Sequence, residues 1–189
     1  MKDKIKTIIK NSITVKEAVL KSEVGNIEKA ARTMIDSLNA GGKVLVFGNG
    51  GSAADSQHIV AELVGRFKKE RRALPAIALT ANTSTLTAIA NDYGYDATFA
   101  RQVEALGKKG DIAFGISTSG NSKNVIEAIS KAKSIGLKAI GLLGCDGGKL
   151  KNLCDIAIVA GSKDTPRAQE SHIMIAHIIC ELIEDEIFK

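Results

Sequence analysis

Apolar residues recur every three or four positions across residues 4–38, through Ile5, Ile8, Ile9, Ile13, Val15, Val19, Ile27, Ala30, Ala31, Met34, Ile35 and Leu38. That spacing marks one face of a helix. A break is expected near Gly25, and Ala40-Gly41-Gly42 stops the segment. The pattern then changes to five short apolar runs, at 44–47, 76–79, 112–116, 139–143 and 156–159. None alternates strictly with polar residues, so each is expected to be a strand covered on both faces. Helical stretches are expected at 53–67, 85–91, 97–106, 122–135 and 167–188. Strands alternating with helices imply βαβ units and a parallel sheet. The expected fold is α/β, a doubly wound three-layer sandwich around a five-stranded parallel sheet. It is read as one domain over 1–189, with a helical segment at about 1–40 and the core at about 41–189.

Composition narrows the class. Aromatics are 4% and Trp is absent, so the core must be aliphatic. No apolar run approaches the roughly 20 residues that cross a bilayer. Residues 1–10 are charged throughout and lack the apolar stretch of a secretory signal, so a cytoplasmic protein without a membrane partner is expected. Cys145, Cys154 and Cys180 have no C-x-x-C spacing and are expected as buried free thiols. The net charge is +5, part of it in Arg66, Lys68, Lys69, Arg71 and Arg72. That stretch holds only Phe67 among its charges and no binding motif, so no nucleic-acid partner is expected. It reads as a solvated helix end or an attraction for anionic metabolites.

Ligands of such sheets bind beyond the carboxyl ends of the strands. Two loops there have unusual composition. Gly48-Asn49-Gly50-Gly51-Ser52-Ala53 follows the first strand and opens a helix. Its glycines permit close backbone approach, and the helix start offers free N–H groups to an anion. It lacks the acidic partner of a dinucleotide fold and the Gly-Lys-Ser/Thr of a Walker loop. Ser117-Thr118-Ser119-Gly120-Asn121-Ser122 follows the third strand and offers four hydroxyls to a phosphate. Ser122 is equally readable as a helix N-cap. This loop pair, on this element order, resembles the sugar isomerase (SIS) family over nearly the whole chain. The resemblance implies a phosphate at Ser117, Thr118, Ser119 and Ser122, and sugar contacts from Asn49, Gly50 and Gly51.

His58 and Glu62 share a helix face, and the last helix carries Gln169, His172 and His177. A histidine one turn from a carboxylate can hold a metal or move protons. His172 is read as a packing or surface residue. The full set, with Asn91-Asp92, resembles the phosphoheptose isomerase branch of the family. That resemblance implies conversion of sedoheptulose 7-phosphate to D-glycero-D-manno-heptose 7-phosphate, feeding lipopolysaccharide or capsule heptose precursors. It further implies Glu62 and His177 as base and acid, and one Zn2+ per subunit on His58, Glu62, Gln169 and His177. Asn91, Asp92, Glu62 and Gln169 would contact the sugar. Gln169 and His177 are eight residues apart, about 12 Å along a regular helix. Either Gln169 precedes the regular helix, or the two serve one site from different chains. An interfacial site is expected, matching the homotetramer that the resemblance implies.

A non-catalytic relative, the tetramer that binds the bacterial replication initiator, resembles 74–79, 86–92 and 102–107. It lacks an acid matching Glu62 and a histidine matching His177. A module that senses a phosphosugar without converting it is the third reading.

Overall fold

Five strands and eight α-helices alternate in the computed structural model, which describes residues 1–189. The strands are β1 (Val44–Gly48), β2 (Ala76–Ala78), β3 (Ile112–Ser117), β4 (Lys138–Leu143) and β5 (Ile156–Val159). They form one all-parallel sheet in the order β2-β1-β3-β4-β5. The chain goes outward from β1 to β2, then returns to place β3 on the other flank of β1. That reversal is where doubly wound sheets open a ligand crevice. Phe47 lies beside Gly115 and Gly48 beside Ile116, so the glycine and serine loops leave the sheet side by side.

The helices are α1 (Lys2–Ser22), α2 (Val24–Asn39), α3 (Gly51–Val64), α4 (Thr83–Tyr93), α5 (Thr98–Leu106), α6 (Lys123–Ser134), α7 (Gly148–Leu153) and α8 (Thr165–Ile187). Successive strand residues point to opposite faces. Val44, Val46, Ile112, Phe114 and Ile116 meet α2, α3 and α8 on one face. Leu45, Phe47, Ala113 and Ala139 meet α5, α6 and α7 on the other. Burying both faces explains the unbroken apolar runs of β1, β3 and β4, whereas the edge strand β2 departs from expectation and leaves Ile77 exposed. Each aliphatic side chain so buried stabilises the fold by roughly 1.5–3 kcal/mol relative to exposure.

Several expected boundaries shift. The first helical break falls at Glu23 rather than Gly25, where the Glu23 carboxylate accepts a bond from Asn26 Nδ2 at 2.8 Å. Helix α3 starts two residues earlier than expected and ends at Val64, not 67. Helix α4 runs from Thr83, because Asn82 Oδ1 accepts from Thr85 N at 3.0 Å and caps it. Helix α7 had no apolar periodicity to announce it, since Leu150 is its one buried residue. Within the basic stretch Arg66, Lys68 and Arg72 are exposed as expected, but the Arg71 side chain is only 2% exposed against Glu184. All three cysteines are free, Cys180 buried and the other two half-buried. Burial pushes the Cys154 and Cys180 thiols up to about 12, which leaves them un-ionised and unreactive.

His172 is fully buried on the sheet side of α8, and neither ring nitrogen makes a hydrogen bond. Burial lowers its pKa to about 4, partly opposed by the Leu143 carbonyl. The native state therefore binds fewer protons than the unfolded chain between that value and the ordinary 6.5. Stability is expected to be complete above that window and to fall by about 3 kcal/mol as pH drops through it. Urea unfolding of His172→Leu and of the unsubstituted chain at pH 7 and pH 4.5 checks this. The substituted chain should lose less stability on acidification.

Candidate active site

Helices α3 and α8 pack along their length. At one end of this seam the Gln169 amide fills the space a Cβ on Gly51 would need. Seven residues further along α3, and eight further along α8, His58 meets His177. His58 Nε2 lies 3.0 Å from Glu62 Oε1 and 3.4 Å from His177 Nε2. The two imidazoles meet edge to face at 5.0 Å between centroids. One ligand atom from each of His58, Glu62 and His177 falls within 4.8 Å of the others. The i, i+4 spacing of His58 and Glu62 aims both at one point, and α8 supplies His177 from outside α3.

This set fits a zinc ion. Zinc bonds of about 2.0–2.2 Å in a tetrahedron separate ligand atoms by roughly 3.3–3.6 Å. The observed 3.0 and 3.4 Å bracket the lower end of that range, with nitrogen and oxygen donors that suit the metal. Gln169 does not join the set within one protomer. Helix α8 begins at Thr165 with Pro166 in its first turn, so Gln169 sits inside the regular helix, about 12 Å before His177. Asp55, one turn ahead of His58, has a buried carboxylate oxygen with no partner. Burial holds that carboxyl above the ordinary range, partly offset by His58.

The serine loop forms a second cluster. Ser122 occupies the N-cap position of α6, yet its hydroxyl makes no capping bond. Instead Ser122 Oγ lies 3.0 Å from Ser117 Oγ, which is 3.4 Å from Ser119 Oγ. Three hydroxyls thus gather at the open mouth of the loop, with Thr118 half-buried beside them. Asn49 is held differently from expectation. Its amide pairs reciprocally with Asn124 at 2.8 and 2.9 Å, and its oxygen also accepts from Tyr95 Oη at 2.9 Å. This latch joins the glycine loop to the first turn of α6. Nothing local in the sequence marked Asn124 or Tyr95. Gly50 carries positive φ (56°) at the start of α3. Asn91 and Asp92 are exposed on α4, where Asn91 Nδ2 donates to Asp92 Oδ1 at 2.9 Å, and neither hydrogen-bonds to a member of either cluster. Asp92 lines a cleft of about 630 Å³ with Asn82, Thr85, Tyr93 and Arg101.

Residues 9–144 match the SIS domain. The chain is 55% identical over 190 residues to the phosphoheptose isomerase of Clostridium acetobutylicum, covering 100% of this chain and 97% of that protein. The structure of a phosphoheptose isomerase from Francisella tularensis superposes with a TM-score of 0.94 at 40% identity, covering 97% of each chain. That of Neisseria gonorrhoeae superposes at 0.93 with 43% identity, over 97% of this chain and 98% of the other. With that sheet order, both strand-end loops and full-length likeness of this degree, the chain belongs to the phosphoheptose isomerases of the SIS-domain family.

Proposed function

We propose that this chain interconverts sedoheptulose 7-phosphate and D-glycero-D-manno-heptose 7-phosphate. The observation that carries the reading is the meeting of Glu62 and His177, brought from two helices to one point beside His58. An aldose–ketose interconversion needs a base at carbon and a proton donor at oxygen. Glu62 removes a proton from C1, the C1–C2 double bond of the enediol forms, and His177 protonates O2. Return of a proton to C2 and loss of the O1 proton give the aldose. The hydroxyls of Ser117, Thr118, Ser119 and Ser122 bind the phosphate, and Asn49 to Gly51, Asn91, Asp92 and Gln169 bound the sugar. His58, Glu62 and His177 would hold one Zn2+, whose charge would polarise the C1 and C2 oxygens.

The assembly is a homotetramer, and Gln169 reaches the cluster from a second copy of the chain. Support comes from the apolar side chains left uncovered on one protomer. Ile5, Ile9 and Ile13 on α1 are about half exposed (50%, 54% and 49%). Val24, Ile178 and Leu182 line an apolar cleft of about 370 Å³ between α2 and α8. A fully active monomer in light scattering would contradict the shared site. No helix is long and apolar enough to cross a membrane, and the reading places the enzyme in the cytoplasm.

Incubation of the purified chain with sedoheptulose 7-phosphate, followed by NMR, tests the activity. Aldoheptose anomeric signals are expected to grow in. Binding without conversion would favour the sensing module instead. Retention of Glu62 and His177 disfavours the initiator-binding role, which needs neither.

A further inference from the structure

The basic stretch after α3 is bound to the far end of α8. Glu184 lies seven residues beyond His177, two turns along the same helix face. Its carboxylate accepts from the backbone N–H of Phe67 (3.1 Å), Lys68 (2.7 Å) and Lys69 (2.6 Å), and from Arg71 Nε (2.9 Å). Arg71 and Glu184 are each 2% exposed at the side chain. The rest of the Arg71 guanidinium faces α3. Nη2 donates to the Glu62 carbonyl at 2.7 Å, and Nη1 to those of Leu63 (2.9 Å) and Gly65 (3.2 Å). These are carbonyls that a helix end leaves without partners, at the end where a cation is favoured. Phe188 closes the arrangement, its ring centroid 5.5 Å from the guanidinium carbons of both Arg71 and Arg72.

Two contacts tie this knot to the cluster. Arg71 holds the backbone of Glu62 itself. Phe67, fixed by its bond to Glu184, lays its ring 5.6 Å from the His177 imidazole, tilted by 40°. Lys68 extends from the same segment to Glu181 at 2.6 Å. The segment therefore touches both groups that the proposed isomerisation uses, without reaching their reacting atoms.

We propose that Phe67, Arg71 and Glu184 are positioning residues that hold Glu62 and His177 in register across the α3–α8 seam. This rests on the isomerase reading for its kinetic consequence, while the geometric claim has its own readout. A buried ion pair alone does not require a functional role, since such pairs often contribute little net stability. The distinguishing feature is that its bonds end on the two helices at the reacting pair.

The test compares Phe67→Ala, Phe67→Tyr and Glu184→Gln in the full-length chain. Phe67→Ala is expected to lower kcat about 10- to 100-fold with KM changed less than about threefold. Phe67→Tyr, which keeps the ring, should recover most of the turnover. Competition with a chelator should show Zn2+ bound about 10-fold or more weakly by Phe67→Ala. Glu184→Gln places an amide NH2 against N–H donors, so amides 67–69 should exchange with deuterium faster while kcat falls with them. Wild-type kcat in a folded Phe67→Ala chain overturns the proposal. So does a fall in kcat/KM carried by KM alone, or fast exchange at 67–69 with turnover unchanged. If the unsubstituted chain converts no heptose phosphate, the isomerase reading fails by itself. Zinc affinity then decides the positioning claim, and equal affinity in Phe67→Ala and the unsubstituted chain overturns it.

Discussion

Glu62→Gln is expected to lower turnover of sedoheptulose 7-phosphate about 10²- to 10⁴-fold, the range that a positioned general base contributes. Glutamine keeps the size and one oxygen but cannot take a proton from carbon. The loss should appear in kcat. His177→Ala should cost a comparable factor, because the enediol oxygen then lacks its donor. Neither change should unfold the chain. The Glu62 side chain is 22% exposed and His58 is its side-chain partner, so no core contact is lost. The double variant should be little slower than either single one, since residues acting as a unit are not additive. NMR assays with a thermal melt of each variant check this. A Glu62→Gln chain with unchanged kcat would remove the base from the mechanism.

The second large effect is expected at Gly120, the turn of the serine loop. Its φ of +66° is a left-handed conformation that costs other residues about 1–2 kcal/mol. Space is the stronger constraint. A Cβ there would strike the backbone of Gly147 and Gly148, which pack against the turn. The same contact carries a bond from Leu150 N to the Gly120 carbonyl at 3.1 Å, and Gly144 N donates to Ser117 O at 3.0 Å. The 144–150 segment is thus the wall against which the phosphate loop is shaped. Gly120→Ala must push the two apart and spread the hydroxyls of Ser117, Ser119 and Ser122. Losing two hydrogen bonds to a charged phosphate, at about 1.5–3 kcal/mol each, predicts KM raised roughly 10²-fold or more. Gly41→Ala is the control, with φ of +83° but nothing within 4 Å of the new Cβ. It should lose a little stability and no affinity. An unchanged KM in Gly120→Ala would mean that the phosphate binds elsewhere.

The strands were legible because a sheet buried on both faces writes itself as short unbroken apolar runs, as at 112–116 and 139–143. The glycine and serine loops were legible because their chemistry is concentrated in six consecutive residues each. His58 and Glu62 were legible through helical spacing. What escaped depends on contacts between distant parts of the chain. Asn49 finds Asn124 across 75 residues, and Phe67 finds Glu184 across 117. Neither partner differs locally from any other polar residue. Arg71 read as one more surface cation because burial of a charge is decided by what folds over it. Helix α7 escaped for the opposite reason, since a single anchor, Leu150, leaves no period to detect. Ser122 was ambiguous until its hydroxyl was seen to face Ser117 rather than its own helix.

Because Gly51 meets Gln169 and His58 meets His177 on the same two rods, the gap between the loop and the histidines is measured out in peptide units. One residue inserted between Gly51 and His58 would swing the imidazole about 100° around its axis and off its counterpart. The interval behaves as a fixed gauge, so any adaptation to a longer or shorter sugar has to come from the turns above the sheet.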